Sequence, residues 1–353
     1  MSTPLELFQQ AAALQIPSQQ PAVIWAVAPW FLRRNGVTAR DYYTNKETQF
    51  RVQNLLQQTY PDTLLLPGFY PDFGLAAEAA GFGCELEWGE FTAPVPQSRF
   101  RDIAEIRTMK PIDVRRDGLF PEIIERYHYL MDHMDPSYAA KFGYLDGTAQ
   151  PLGPIELAAA MLGYNNMLYE TYDHPEELHL LLRIVTDTLI EWLHEVERHV
   201  GKLKRLIVQD HFACQVSAEM CEEFVFPYLR RIFAEFPDTI RMWHNEGDVR
   251  HVMNEIPSLG MEIFHTGMDL EQTKGAIGKQ VCLMGNLNTS ALMMQSSAQA
   301  VREAAQQACE IGAPGGGFIL TSAGAVGDAT PHENILAMLE TARQFDLGKK
   351  EIK

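Results

Sequence analysis

Three short apolar runs in this sequence each lead into a histidine, and these are His211, His244 and His265. Glu246 follows His244 after one residue, and alternate residues of an extended chain point to the same side. Imidazole nitrogens and carboxylate oxygens are ligands of zinc in sites that keep one coordination position open. The pattern predicts a metal site formed by His244, Glu246 and a third group, which is either His211 or His265.

The same residues also allow chemistry without a metal. His244 and Glu246 could form a hydrogen-bonded pair that transfers protons, or a structural contact between a loop and the next helix. Asp210, which directly precedes His211, is predicted either to orient a histidine or to cap the turn before the next helix. The candidate catalytic residues are therefore Asp210, His211, His244 and Glu246, with these alternatives open.

Strand patterns alternate with helical patterns along most of the chain, which indicates a parallel β-sheet. The predicted strands lie near residues 23, 64, 145, 207, 241, 263, 283 and 319. Eight strand–helix units fit a (β/α)8 TIM barrel, whereas a doubly wound dinucleotide-binding sheet would need a glycine fingerprint that is missing here. The predicted fold is an α/β barrel in a single domain, residues 1–353, with an N-terminal helical extension over residues 1–20.

Side chains just past the strand ends of such a barrel line one mouth, where ligands bind. Polar residues at these places are predicted to contact the substrate, and they are Arg33, Asp72, His265, Asn286 and Asn288. A simpler role is open for the two asparagines, because asparagine is a frequent turn former.

Composition narrows the class of partner. The net charge of −17 argues against nucleic acid and anionic membranes, and no apolar run approaches the ~18 residues of a membrane span. The five cysteines form no CxxC pair and the N-terminus shows no signal-peptide pattern, so a cytoplasmic protein with a small-molecule substrate is expected. The mixed pattern of residues 83–115 predicts an irregular or antiparallel excursion that serves as a lid or a homodimer contact.

Three motifs in the C-terminal half resemble the signature of the uroporphyrinogen decarboxylase superfamily. They are Gly285-Asn-Leu-Asn288, Ala313-Pro-Gly-Gly-Gly-Phe-Ile-Leu320 and Thr330-Pro-His-Glu-Asn-Ile335. The superfamily contains decarboxylases and also zinc-dependent methyltransferases, which move methyl groups between corrinoid proteins and thiols. The resemblance covers residues 20 to 345 approximately and implies a (β/α)8 barrel.

Departures from the family pattern fall at the chemical positions. The methyltransferases bind zinc through a His-x-Cys pair and a later cysteine. His244 matches the histidine, but Glu246 stands at the second place of the pair, and the later cysteine place falls at about Gly324. The resemblance therefore excludes a zinc site with two thiolates. Arg33 matches the arginine loop of the decarboxylases, whose second arginine is replaced here by Val37.

The resemblance implies a methyltransferase in which zinc and a corrinoid on a separate protein act on a small organic substrate. No cobalamin-binding domain is visible in the sequence itself. One alternative is a metal-free decarboxylase or lyase, in which Arg33 holds a carboxylate and Asp72 or Asp210 stabilises a protonated pyrrole-like ring. A further alternative is a barrel that binds a ligand without catalysis.

Overall fold

The computed structural model describes residues 2–26, 31–145, 148–327 and 329–348. Parallel strands form its centre. The strands are β1 (Val23–Trp25), β2 (Leu64–Leu66), β3 (Leu86–Glu87), β4 (Val95–Pro96), β5 (Arg205–Gln209), β6 (Ile240–His244), β7 (Ile263–His265), β8 (Cys282–Leu287) and β9 (Phe318–Ser322). Strands β5 to β9 form one parallel sheet in chain order, β1 pairs in parallel with β2, and β3 pairs antiparallel with β4. The predicted antiparallel excursion within residues 83–115 is confirmed by this last pair.

Isolated bridges extend the parallel arrangement on both sides. Ala22 bridges to Leu320, which places β1 beside β9, and Leu152 bridges to Gln209, which places the segment 149–152 beside β5. The predicted α/β fold with a parallel sheet is confirmed. Between β2 and the segment 149–152 no strand pairing is present in the described ranges, so closure of the barrel stays a prediction.

One predicted strand is corrected. The sequence placed a strand over Tyr144–Thr148, but Tyr144 and Leu145 lie in a turn and residues 146–147 are outside the described part of the chain. Backbone pairing with β5 begins only at Ala149. Tyr144 instead uses its hydroxyl to accept a hydrogen bond from the backbone nitrogen of Leu65, at 2.8 Å, so its side chain is tied to β2.

Helices separate the parallel strands, as predicted from the alternating pattern. The α-helices are Pro4–Ala12, Ala39–Thr44, Lys46–Thr59, Ala77–Gly81, Phe120–His133, Pro136–Phe142, Pro154–Leu162, Tyr164–Asp173, Pro175–Val200, Ala218–Met220, Phe226–Glu235, Leu270–Ile277, Ala298–Gly312 and His332–Gln344. None of the helices in the described ranges is both long and apolar enough to span a membrane.

Two helices show how local sequence determines the boundaries. Pro4–Ala12, the predicted N-terminal extension, begins with a capping box in which Thr3 and Glu6 satisfy each other's backbone nitrogens. Pro175–Val200 buries an apolar stripe that includes Leu178, Leu182 and Trp192. This helix begins after His174, and its first residue, Pro175, needs no backbone hydrogen-bond donor there.

The register of the sheet determines where the strand ends meet. His244 at the end of β6 is paired with Gln209 of β5 on one side and with His265 of β7 on the other. Paired residues of neighbouring parallel strands point to the same face, so the two imidazoles lie side by side. The three strands thus end at one level.

Candidate metal site

The imidazoles of His244 and His265 are in direct contact. Their Nδ1 atoms lie 2.8 Å apart, and the two residues are only 3 % and 0 % exposed. Trp25 from β1 stacks on the His244 ring with centroids 4.7 Å apart and also packs against His265 at 4.8 Å. The indole therefore covers one side of both rings and excludes water from it.

The hydrogen-bond partners determine which nitrogen of each ring carries a proton. His265 Nε2 lies 2.9 Å from the carbonyl oxygen of Ser322, so this nitrogen must donate. Burial lowers the pKa of His265 to about 4, and burial together with the neighbouring imidazoles lowers the pKa of His244 well below its ordinary value, so both rings are neutral. His265 Nδ1 then accepts the proton that His244 Nδ1 donates. This assignment leaves the Nε2 lone pair of His244 unprotonated.

His211 supplies a second candidate ligand nitrogen. It lies in the turn after β5, with its ring edge-on to His244 and the centroids 4.9 Å apart. Glu156 Oε1 accepts a hydrogen bond from the His211 backbone nitrogen at 2.6 Å and lies 3.4 Å from Nδ1 of the same residue. The carboxylate favours a proton on Nδ1, and the buried Nε2 atom has no hydrogen-bond partner among the described residues.

Glu246 completes a group of three. Its Oε1 lies 3.9 Å from His211 Nε2, and one ligand atom from each of His211, His244 and Glu246 can be chosen so that all lie within 4.8 Å of one another. Ligands of a tetrahedral zinc ion lie about 3.3 Å apart, given bond lengths of about 2.0 to 2.2 Å. Small side-chain rotations would therefore bring the three atoms onto one divalent ion, and the orphaned nitrogen of His211 fits that use.

Gly324 lies directly beneath the Glu246 carboxylate. A β-carbon built on Gly324 would be 1.7 Å from Oε2 of Glu246, far inside any permitted contact. The carboxylate thus occupies the space that a side chain at position 324 would fill. This position follows β9, so the loop after β9 and the end of β6 meet at the site.

Glu156 is a site residue that the sequence prediction missed. It lies in the helix Pro154–Leu162, is 3 % exposed, and also accepts a hydrogen bond from the hydroxyl of Tyr164. Burial opposes ionisation of Glu156, but the hydrogen bonds from His211 and Tyr164 outweigh it and hold the pKa below its ordinary value. One signal was available: a lone carboxylate in an otherwise apolar helix needs a buried partner.

The predicted role of Asp210 in orienting a histidine is corrected, because Glu156 makes that contact. Asp210 is fully buried, and its Oδ1 accepts from the backbone nitrogen of Phe212 at 3.1 Å. This is the turn-capping alternative. Burial and the neighbouring charge of Glu156 raise the pKa of Asp210 well above its ordinary value.

His265 and the two asparagines also have structural partners. Both ring nitrogens of His265 are engaged, so the structure favours His211 over His265 as the third ligand and removes His265 from the predicted substrate contacts. Asn288 caps the π-helical turn Thr289–Met294 by accepting from the backbone nitrogen of Ala291 at 2.7 Å. Asn286 donates to the carbonyl oxygen of Met268 at 2.8 Å. The turn-forming alternative therefore describes Asn288.

Asp72 and Arg33 follow other strands than the three histidines do, Asp72 after β2 and Arg33 after β1. Asp72 accepts hydrogen bonds from the hydroxyl of Tyr42 at 3.1 Å and from the backbone nitrogen of Gly74 at 2.8 Å, which makes a separate polar network. Arg33 is exposed in a short 3-10 turn. Its predicted contact with an anionic substrate group stays a prediction.

Comparison with known proteins places nearly the whole chain in one family. The profile of the family described as Uroporphyrinogen decarboxylase (URO-D) matches residues 6–345. A uroporphyrinogen decarboxylase from Trichormus variabilis is 22 % identical over 340 residues, which cover 90 % of this chain and 93 % of the relative. A methylated-thiol–coenzyme M methyltransferase from Methanosarcina mazei is 22 % identical over 281 residues, with 79 % and 73 % covered.

A solved structure is similar in fold along nearly the whole length. It is a methyltransferase from Methanosarcina mazei, with a TM-score of 0.81 at 15 % sequence identity, and 97 % of this chain and 98 % of that chain are covered. The similarity in fold therefore includes both the N-terminal and the C-terminal strands of this chain.

Proposed function

This chain belongs to the uroporphyrinogen decarboxylase family, and from that premise we propose that it is a metal-assisted methyltransferase. In this proposal it works with a corrinoid carried on a separate protein and acts on a small organic substrate. The observation that carries the proposal is the convergence of His211, His244 and Glu246, with ligand atoms within 4.8 Å and a buried His211 nitrogen that has no other partner within the described ranges. The proposal includes a closed (β/α)8 barrel, which the likeness to the solved methyltransferase supports.

The residues around the group have distinct tasks in this proposal. His265 and Glu156 hold His244 and His211 in the tautomers that direct a lone pair towards the centre. Trp25 closes the buried side of the histidines, so substrate approaches from the side of Glu246, whose side chain is 48 % exposed. A zinc ion held there would supply Lewis acidity to the substrate atom that gains or loses the methyl group.

The decarboxylase alternative has less support at the substrate pocket. A porphyrinogen carries several carboxylates and calls for several cations around it. The second arginine place of the family loop holds Val37, which is buried, and the chain as a whole has a net charge of −17. The metal-binding group also has no task in the metal-free decarboxylation that this alternative invokes.

Metal analysis of the purified protein tests the proposal. We expect about one zinc per chain in the wild type, little in a His244→Ala variant, and an unchanged content in a His179→Ala control, whose histidine contacts Tyr228 and not the site. Methyl transfer from candidate methylated thiols, ethers and amines to cob(I)alamin is then followed by its absorbance change. A metal-free wild type that binds porphyrins would refute the methyltransferase and favour the decarboxylase.

A further inference from the structure

We infer that Gly324 is a positioning residue of the metal site, because it makes room for the Glu246 carboxylate and so gives the site a ligand set without sulfur. The inference rests on the metal centre of the proposed function. It concerns a different question, which is how a chain without the two expected thiolates can still present a third protein ligand.

Space, and not backbone conformation, is the reason for glycine at this position. Gly324 does not adopt a left-handed φ, so its backbone would accept an alanine. A β-carbon would nevertheless lie 1.7 Å from Oε2, 2.8 Å from Cδ and 3.4 Å from Oε1 of Glu246. All three close contacts are to the carboxylate end of one side chain, so a side chain at position 324 and the present position of Glu246 are mutually exclusive.

The backbone around Gly324 is held and cannot readily retreat from such a contact. Its nitrogen donates to the hydroxyl of Thr289 at 3.1 Å, and its carbonyl accepts from the hydroxyl of Ser322 at 2.6 Å. The carbonyl of Ser322 in turn accepts from His265 at 2.9 Å. The loop after β9 is thus tied to the histidines, and the Glu246 side chain is the part that must move.

Glu246 can move without damage to the fold, since its side chain is 48 % exposed and flexible. An alanine at position 324 should therefore displace the carboxylate from His211 and leave the stability of the protein almost unchanged. In place of the two cysteines of the family pattern, this chain offers one carboxylate, that of Glu246 just after β6. Gly324, after β9, leaves the space that this carboxylate occupies.

The test compares metal binding by the wild type, Gly324→Ala and a Gly275→Ala control. A β-carbon at Gly275 meets nothing within 4 Å, and this glycine lies in the helix Leu270–Ile277. Affinity for zinc and for cobalt(II) is measured by competition with a chelator. We expect Gly324→Ala to bind metal about 10- to 100-fold more weakly, with an unchanged unfolding temperature, and Gly275→Ala to bind as the wild type does.

A rescue variant and a spectrum separate positioning from general damage. Glu246→Asp shortens the side chain, so combining it with Gly324→Ala should restore part of the affinity lost in Gly324→Ala alone, as a coupled pair requires. The cobalt(II) form of the wild type should lack the intense near-ultraviolet band of sulfur ligation, and Glu246→Cys should introduce it.

The outcomes distinguish this inference from the proposed function. If the wild type binds neither zinc nor cobalt(II), both are refuted. If the wild type binds metal and Gly324→Ala binds it equally well, or if the wild-type cobalt(II) spectrum shows a sulfur band, the positioning role of Gly324 is refuted while the metal site remains.

Discussion

Replacing His265 tests the reasoning about tautomers at the site. His265 receives the proton of His244 Nδ1 and donates to the Ser322 carbonyl, so His265→Leu removes both hydrogen bonds at once. The buried His244 must then either leave its Nδ1 proton without an acceptor or place the proton on Nε2, where it blocks the lone pair that would bind a metal.

The size of the effect follows from the burial of these groups. His244 and His265 are 3 % and 0 % exposed, so water cannot replace the lost partner. An unpaired buried polar group costs about 1–3 kcal/mol, which corresponds to a metal affinity weaker by roughly 5- to 150-fold. The loss of the donor to Ser322 should also lower the free energy of unfolding of the metal-free protein by about 1–3 kcal/mol.

His265→Gln is the informative companion variant. A glutamine amide carries an acceptor oxygen and a donor nitrogen, so it can reproduce both hydrogen bonds that the neutral histidine makes. We expect it to retain affinity within about tenfold of the wild type, whereas His265→Leu loses more. Chelator competition gives the dissociation constants, and His179→Leu provides the same substitution at a histidine bonded to Tyr228. Equal affinities for His265→Leu and the wild type would refute the assignment of tautomers, and so would equal losses in the Leu and Gln variants.

Three further predictions address other parts of the site and the fold. Glu156→Gln keeps the shape of the side chain but removes the charge beside His211 Nδ1. Metal affinity, measured by the same chelator competition, should therefore fall by about 10- to 100-fold. An unchanged affinity would show that Glu156 does not orient His211 for metal binding. Asn288→Ala should lower the free energy of unfolding by about 1 kcal/mol, because the cap of the turn Thr289–Met294 is lost. Metal and substrate binding should stay unchanged. If a binding assay shows weaker substrate binding, Asn288 contacts the substrate as the sequence predicted. Burial raises the pKa of Glu78 from 4.5 to about 7, so the folded state opposes ionisation and loses about 3 kcal/mol of stability as pH rises from 4.5 past 7. Glu78→Gln should therefore raise the unfolding temperature at pH 8 and not at pH 4, in contrast to the exposed Glu271→Gln, and equal shifts at both pH values would refute the assignment.

Periodicity along the chain was sufficient to predict the order of strands and helices. Alternating apolar runs and amphipathic stretches depend on local side-chain direction, which each segment carries in its own residues. The five strands from β5 to β9 were predicted within a few residues at their boundaries, and the placement of His211, His244 and His265 at neighbouring strand ends follows from the same pattern. The strand expected over Tyr144–Thr148 failed because a short apolar run does not by itself specify pairing.

The sequence alone could not predict which distant residues are in contact or which histidine nitrogens carry protons. Glu156 lies 55 residues before His211 in the chain, and only the packing of the helix Pro154–Leu162 beside β5 brings its carboxylate to the imidazole. The positions of the protons on the histidines depend on the backbone carbonyl of Ser322. Every residue has such a carbonyl, so the residue types do not reveal which one is the partner.

The residue types and their phase in the sequence determined that an imidazole–carboxylate group would form at the strand ends. The tertiary structure alone decided its membership: it places His211 beside His244 and Glu246, and it makes His265 the hydrogen-bond partner of His244. It also brings the carboxylate of Glu156 to His211 and leaves at Gly324 the space that Glu246 fills. The physical reason is that ligand geometry is determined by a few ångströms between separate elements, whereas sequence patterns report only the direction of a side chain within its own element.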